Sequence, residues 1–364
     1  MRRRGLLGLA AASLAACGGP EPELAAWRGP PPDLRDARLR ILTWARLAPS
    51  PCNTQPWHAA LAGPDRIELC CDPARRLTAA DSDGRQARLA LGAFVELAVL
   101  AAAAEGRRAE VLKVPDGSVA LRVTPQPAIR LDPLFAALPL RRTTRLAYDL
   151  EKPVSEPEAE TLAAAAGPAV RFGCVVEPAA VAALRALTAD AHRRAQAIPE
   201  LAREGAAWLR LDGAADAAWP DGIPLRGAEV RWAHRLGLLS PDRLADADSV
   251  AARMARLQWA NLFVATASFG WIDTADDGSD DRLAAGRAYQ RVDLAAASLG
   301  LAIHPVSESL GDVPALGDAR AELESRLGVR SPGRVQMLFR LGRAGPQPHT
   351  PRRSVEAILG RSVE

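Results

Sequence analysis

The run from Gly84 to Gly106 constrains this chain more than any other stretch. Leu89, Phe94, Leu97, Ala98 and Ala101 fall on one face of a helix, and alanines fill most of the remainder. A helix this apolar has little to offer water, so it predicts a buried central helix, with Gly106 as its stop. A second run, the long helix expected over Asp280 to Leu299, has the same character. Gly92-Ala93-Phe94 followed by Leu97 to Ala102 is matched by Gly286-Arg287-Ala288-Tyr289 followed by Asp293 to Ser298, and both lead into strands. The repeat suggests two related α+β units, and 364 residues suffice for two domains or one large one.

Around these helices the elements fall in order. Leu34 to Leu47 has apolar residues at helical spacing, and His58 to Leu61 with Arg66 to Cys71 reads as two strands about a Gly63-Pro64-Asp65 turn. Glu110 to Val114 and Val119 to Val123 read as strands. Pro125 to Pro133 reads as a linker, and Leu134 to Leu140 as a short helix. Ser155 opens a helix with Glu158 three residues on, a capping box. Val170 to Glu177 and Arg334 to Gly342 read as strands, as does Leu262 to Trp271, which could equally be a buried segment. Glu200 to Asp248 reads as irregular, with Trp208, Trp219 and Trp232. Such a stretch is either a lid or a helical insertion anchored by its tryptophans.

Between the first helix and first strand lies Ala48-Pro49-Ser50-Pro51-Cys52-Asn53-Thr54-Gln55-Pro56-Trp57. Three prolines stop the helix and stiffen the loop. Ser50, Asn53 and Gln55 supply polar groups able to face a flat ligand, and Trp57 serves as a core anchor. Arg141-Arg142-Thr143-Thr144-Arg145 is the second polar cluster. On an extended segment Arg141, Thr143 and Arg145 share a face, a set suited to one phosphate. Arg352 and Arg353 form a basic pair near the C-terminus.

The net charge of +3, from 46 Lys and Arg against 43 Asp and Glu, argues against nucleic-acid binding. The five cysteines show no C-x-x-C pair, and none of the five histidines is spaced from another as zinc ligands are, so no metal is expected. Nucleophile-elbow, H-E-x-x-H and P-loop motifs are absent from the sequence. The N-terminus reads as a targeting segment: Arg2-Arg3-Arg4, an apolar run from Gly5 to Ala16, and Leu14-Ala15-Ala16-Cys17 in the form of a lipobox. Arg3-Arg4 also has a twin-arginine (Tat) character. The expectation is a signal over residues 1–17, lipidation at Cys17, a tether over 18–33, and export to the periplasmic side of a membrane in the bacterial cell envelope.

Taken together, these motifs resemble a known family. The Ala48 to Trp57 loop is similar to the APS-x-x-N-x-QPW loop of the flavin-dependent nitroreductases, and Arg141 to Arg145 to their R-R-S-x-R motif. Gly286 to Leu301 resembles their central helix. Pro305-Val306-Ser307-Glu308 falls where they place backbone against the flavin, and Arg352-Arg353 matches their C-terminal basic pair. In single-unit relatives the arginine motif precedes the Asn-Gln-Pro-Trp loop; here it follows, as in the duplicated Acg family. The resemblance implies a nitroreductase-like fold, a tandem pseudo-dimer of two three-layer α/β/α units over residues 34–130 and 131–364. The insertion or lid would span about 200–248, with one complete and one degenerate site.

It further implies FMN held by Ser50, Asn53, Gln55, Arg141, Thr143, Arg145, Pro305, Val306, Ser307, Arg352 and Arg353. The flavin would carry the chemistry, with no catalytic side chain. Backbone near Val306 and Ser307 would offer an N–H toward flavin N5. An active member takes hydride from NAD(P)H and passes it to a nitroaromatic, quinone or similar acceptor. The rival readings are an Acg-like protein that sequesters FMN under its lid and a flavin-free envelope lipoprotein scaffold. With the pseudo-dimer internal, a monomer is expected.

Overall fold

Gly84, with φ of 72°, turns the chain into α2, and the buried Asp81 carboxylate caps that helix by accepting from the N–H groups of Gln86 (2.7 Å) and Ala87 (2.9 Å). The computed structural model describes residues 25–114, 117–211, 220–311, 313–345 and 347–359. The expected signal, Cys17, part of the tether and Trp219 lie outside them. The helices are α1 (Ala37–Ala45), α2 (Arg85–Ala104), α3 (Glu156–Ala166), α4 (Pro178–Gln196), α5 (Pro199–Ala207), α6 (Ala228–Arg235), α7 (Pro241–Ala245), α8 (Val250–Val264), α9 (Ser279–Ser298), α10 (Gly317–Arg326) and α11 (Val355–Ile358). The strands are β1 (Trp57–Ala62), β2 (Arg66–Cys71), β3 (Arg107–Lys113), β4 (Val119–Pro125), β5 (Arg171–Val175), β6 (Leu209–Arg210), β7 (Ile223–Pro224), β8 (Ser268–Thr274), β9 (Ala302–Pro305) and β10 (Arg334–Gly342).

Two four-stranded antiparallel sheets share one order. The first runs β1-β2-β4-β3 and the second β5-β8-β10-β9. In each, a 20-residue helix, α2 or α9, connects the second strand to the third. The interval from Arg85 to Ser279 equals that from Ala104 to Ser298 and from Gly92 to Gly286. Gly106 (φ 65°) and Gly300 (φ 69°) end the two helices alike.

α2 and α9 pack on each other at a reciprocal crossing. A Cβ on Gly92 would run into the carbonyl oxygen of Leu283, and one on Gly286 into that of Leu89. Only glycine permits such an approach. The apolar length of α2 would suffice to cross a membrane, but 89 % of its apolar window is buried. Trp57 is fully buried at the edge of the first sheet, 5.1 Å from the Phe94 ring.

Two stretches depart from the sequence reading. Within 200–248 the described residues form α5, α6, α7 and a parallel β6–β7 pair, in keeping with the helical-insertion alternative rather than irregular coil. Local caps account for the short helices: Pro199 stands at the first turn of α5, and Ser240 Oγ accepts from Arg243 N (3.2 Å). Leu262 to Val264 belongs to α8, and β8 begins only at Ser268, because a short apolar run has no period to separate helix from strand.

Candidate functional site

The Ser50–Trp57 loop is held in an unusual shape. Cys52 (φ 48°), Asn53 (φ 55°) and Gln55 (φ 53°) all occupy the left-handed region, which costs non-glycine residues of order 1–2 kcal/mol each. Ser50 Oγ accepts from Gln55 N (2.9 Å), and the C-terminal tail and the Pro220–Gly222 segment supply further partners. Asn53 Nδ2 donates to the carbonyls of Gly222 (2.9 Å) and Pro351 (3.2 Å), while its Oδ1 accepts from Arg352 Nη1 (2.9 Å). Gln55 Nε2 donates to Pro220 O (2.8 Å), and its Oε1 accepts from Arg353 N (2.8 Å).

The arginines expected at a phosphate do not converge on one point. The Arg352 side chain donates to Leu47 O (3.3 Å) and Ala48 O (3.4 Å) and lies 5.3 Å from the Trp27 ring centre. Arg353 donates to Gln55 O (3.2 Å) and Trp57 O (3.3 Å). Arg141 pairs with Asp293 (3.1 Å), both buried, and lies over the other end of this cluster, 5.5 Å from Trp27. Burial raises the Asp293 carboxyl above its ordinary range, and Arg141 only partly offsets it.

Thr143 and Arg145 go elsewhere. Their segment runs beside β9 through a Thr143–Ile303 bridge and a Thr144 N to Ile303 O bond of 2.9 Å. Both residues line a cavity of about 320 Å³ bounded by α2, the Ser50–Cys52 loop and the second sheet, a size at which small-molecule sites begin. Ser50, Pro51 and Cys52 enter it from the first half, and Pro305, Val306 and Ser307 from the second. Small and apolar side chains of α2, Leu89, Ala90 and Ala93, make one wall. The opposite wall comes from the 200–260 region, with Leu201, Leu244, Arg256 and Trp259.

Two polar groups of this cavity are short of partners among the described residues. Arg145 lines it, and no hydrogen bond or ion pair joins its guanidinium to any described residue. Burial pulls its pKa below the usual arginine value, with Cys52 and the two tyrosines opposing. The Tyr289 hydroxyl is buried without a hydrogen-bond partner, and desolvation first, then Asp293, raises its pKa well above the ordinary. Burial pushes the Cys52 thiol up to about 11 despite Arg145, so it stays protonated near neutrality. The Val306 N–H is taken by Leu338 O (2.9 Å) and so is not open to a ligand.

Several cavity residues escaped the sequence reading. His192 Nδ1 meets Glu308 Oε1 at 2.8 Å, and its ring lies 4.7 Å from Trp259 and 5.5 Å from Phe263. Burial pushes Glu308 up, but His192 and the backbone N–H groups of Glu308 and Ser307 outweigh it and hold the carboxyl below its usual value. His304 is the other. Neither histidine stands in a motif; only the packing of α4 and α8 on the second sheet brings them together.

A second cavity, of about 480 Å³, occupies the matching place in the repeat. Ser279, Asp280 and Leu283 stand there where Arg85, Gln86 and Leu89 stand in the first, and Val111 to Val114 where Pro305 to Glu308 stand. It holds a Lys113–Asp280 ion pair (2.5 Å) and no aromatic or histidine side chain.

The fold is an α+β protein of two like-ordered sheets, with a cavity lined by residues of both halves. No family model matches the chain. Rv3131 of Mycobacterium tuberculosis H37Rv, a protein assigned to the NAD(P)H nitroreductases, is 31 % identical over 343 residues, covering 90 % of this chain and 92 % of its own. MT3217 of strain CDC 1551 matches equally. The chain belongs to the NAD(P)H nitroreductase family. Among solved structures, a point mutant of the FMN- and NADPH-dependent nitroreductase NfnB of a Sphingopyxis strain has a TM-score of 0.39 at 18 % identity, covering 64 % of this chain and all of its own. The FMN-dependent NfnB of Mycobacterium smegmatis, solved with NADPH, has a TM-score of 0.37 at 18 % identity, covering 62 % and 97 %.

Proposed function

We propose that this protein is an FMN-dependent oxidoreductase that takes hydride from NAD(P)H and delivers it to a nitroaromatic, quinone or similar acceptor. The observation that carries this reading is the Arg145 guanidinium, partly buried and without a counter-charge among the described residues, in a cavity lined by both halves. A half-buried cation without a counter-charge is costly and suits a site whose anion arrives with the ligand. The donor set fits the cofactor. The small side chains of α2 leave room for a flat ring, Thr143 and Arg145 offer donors to phosphate or ring oxygens, and the Tyr289 hydroxyl awaits a partner. When bound, the flavin supplies the two-electron chemistry. The chain's own residues bind and orient it and exclude water. Asn53, Gln55, Arg352 and Arg353 support this by fixing the shape of the Ser50–Cys52 rim.

The architecture belongs to the same proposal. Equal strand order, equal helix spacing and the reciprocal glycine crossing support a fused pseudo-dimer of nitroreductase-like units, split near residue 130, of the Acg kind. The Lys113–Asp280 cavity would be its degenerate site, and the chain a monomer. A lipid anchor at Cys17 and residence in the cell envelope complete the proposal.

One observation favours a second reading, FMN sequestered without turnover. Trp259, Leu244 and Arg256 close one side of the cavity, as a lid over a stored cofactor would. The test is spectral. Purified protein supplied with FMN is expected to be yellow and to bleach with NADH or NADPH under anaerobic conditions. Yellow protein that resists bleaching leaves the sequestering reading; colourless protein removes both in favour of a flavin-free scaffold.

A further inference from the structure

Strands β9 and β10 place His304 and Arg340 directly opposite each other in register. The Arg340 side chain is fully buried and tied at several points. Its Nε donates to Thr266 Oγ1 (2.8 Å), and its Nη2 to the carbonyls of Leu146 (2.8 Å) and Ala265 (3.2 Å). The guanidinium also lies 4.3 Å from the Tyr148 ring centre. Its remaining nitrogen, Nη1, stands 3.2 Å from His304 Nδ1. A guanidinium is always a donor, so Nδ1 must accept, and the single proton of the neutral imidazole must sit on Nε2. His304 lines the cavity, and with Nδ1 turned to Arg340 the nitrogen left for a ligand is Nε2. Trp259, stacked at 5.4 Å, holds the ring plane.

We infer that His304 is a ligand-binding residue, locked by Arg340 as a neutral donor that presents Nε2–H, together with Arg145, to an acceptor edge of the bound flavin ring. The inference rests on the flavin reading above for the identity of the ligand, but not for the lock. Burial first, then the charges of Arg145, Arg340 and His192, push His304 well below the ordinary histidine range. The titratable and charged groups facing it are Arg145, Arg340 and His192 and, through His192, Glu308. A second proton on the ring would have to point at the guanidinium. His304 thus serves as a fixed dipole rather than an acid or base. Two donors, Arg145 and His304, complement a carbonyl edge, where the flavin ring gathers negative charge on reduction.

Two experiments on the full chain test this. In the protein without flavin, 15N NMR of labelled imidazoles is expected to show His304 with unprotonated Nδ1 and protonated Nε2 throughout about pH 5.5 to 8. The signal is assigned by its loss in His304→Gln. A ring that titrates in that range, or the opposite tautomer, overturns the lock. With FMN, His304→Leu is expected to weaken binding about tenfold, the value of one hydrogen bond at a desolvated site, and to lower the flavin midpoint potential. His304→Gln, which restores an N–H donor, should recover most of both. Wild-type binding of FMN with an unchanged affinity and potential in His304→Leu overturns the ligand role alone. A wild-type protein that binds no FMN overturns the flavin reading and the ligand role, and leaves the NMR result standing on its own.

Discussion

Arg145 and Arg141 lie four residues apart in one motif and meet opposite fates. Arg141 finds Asp293 and is neutralised; Arg145 finds no counter-charge among the described residues. Taking a charge partly out of water without a partner destabilises the fold, so Arg145→Met should raise the melting temperature of the flavin-free protein while abolishing FMN retention. Calorimetry and the flavin absorbance of the same sample check both halves. A variant that merely melts lower and loses flavin would assign Arg145 a structural role. The sequence predicted an extended segment here with Arg141, Thr143 and Arg145 at alternate positions, and the Thr143–Ile303 bridge beside β9 bears out the extended backbone. Which arginine keeps its charge free was not legible in the sequence, since the deciding partner, Asp293, lies half a chain away on α9.

At the scale of elements, the sequence was most informative where one period ran long. α2 and α9 lie within a residue or two of their expected ends, and β10 matches its expected span. It was least informative in the 200–248 insertion, whose short helices depend on caps, and around the C-terminal tail. Arg352 and Arg353 looked like ligand-binding residues, yet in this structure they tie the tail to the Ser50–Trp57 loop. Their partners are mostly backbone carbonyls, which carry no sequence signature. Asn53 is the shared group of this knot. Asn53→Ala should cost about 1–3 kcal/mol, because it leaves buried Arg352 and two carbonyls short of a partner. It should also expose residues 347–359 to protease before the rest of the chain. Limited proteolysis with mass spectrometry, beside a denaturant melt, would show it, and a tail as resistant as wild type would refute the knot.

Across the whole molecule, the two halves meet where Gly92 and Gly286 face the backbone of the opposite helix. Each single Gly→Ala change should cost about 1–3 kcal/mol by forcing the helices apart. The pair should cost less than the sum, since the first alanine already opens the gap that the second needs. Chemical denaturation of the two single variants and the double variant measures the coupling, and strict additivity would mean the two contacts relax independently.

The knot also sets a clock on biosynthesis. Residues 50–57 leave the ribosome early, but Pro351, Arg352 and Arg353, which hold their strained shape, come about 300 residues later. At about 5–20 residues per second, that is a wait on the order of tens of seconds. During it the nascent loop has no reason to stay in the left-handed conformation, and the cavity rim is unfinished. Cofactor loading is therefore expected only after release of the whole chain. Chains ending at residue 348 should fold their helices, by circular dichroism, yet retain far less FMN than the full-length protein under the same conditions.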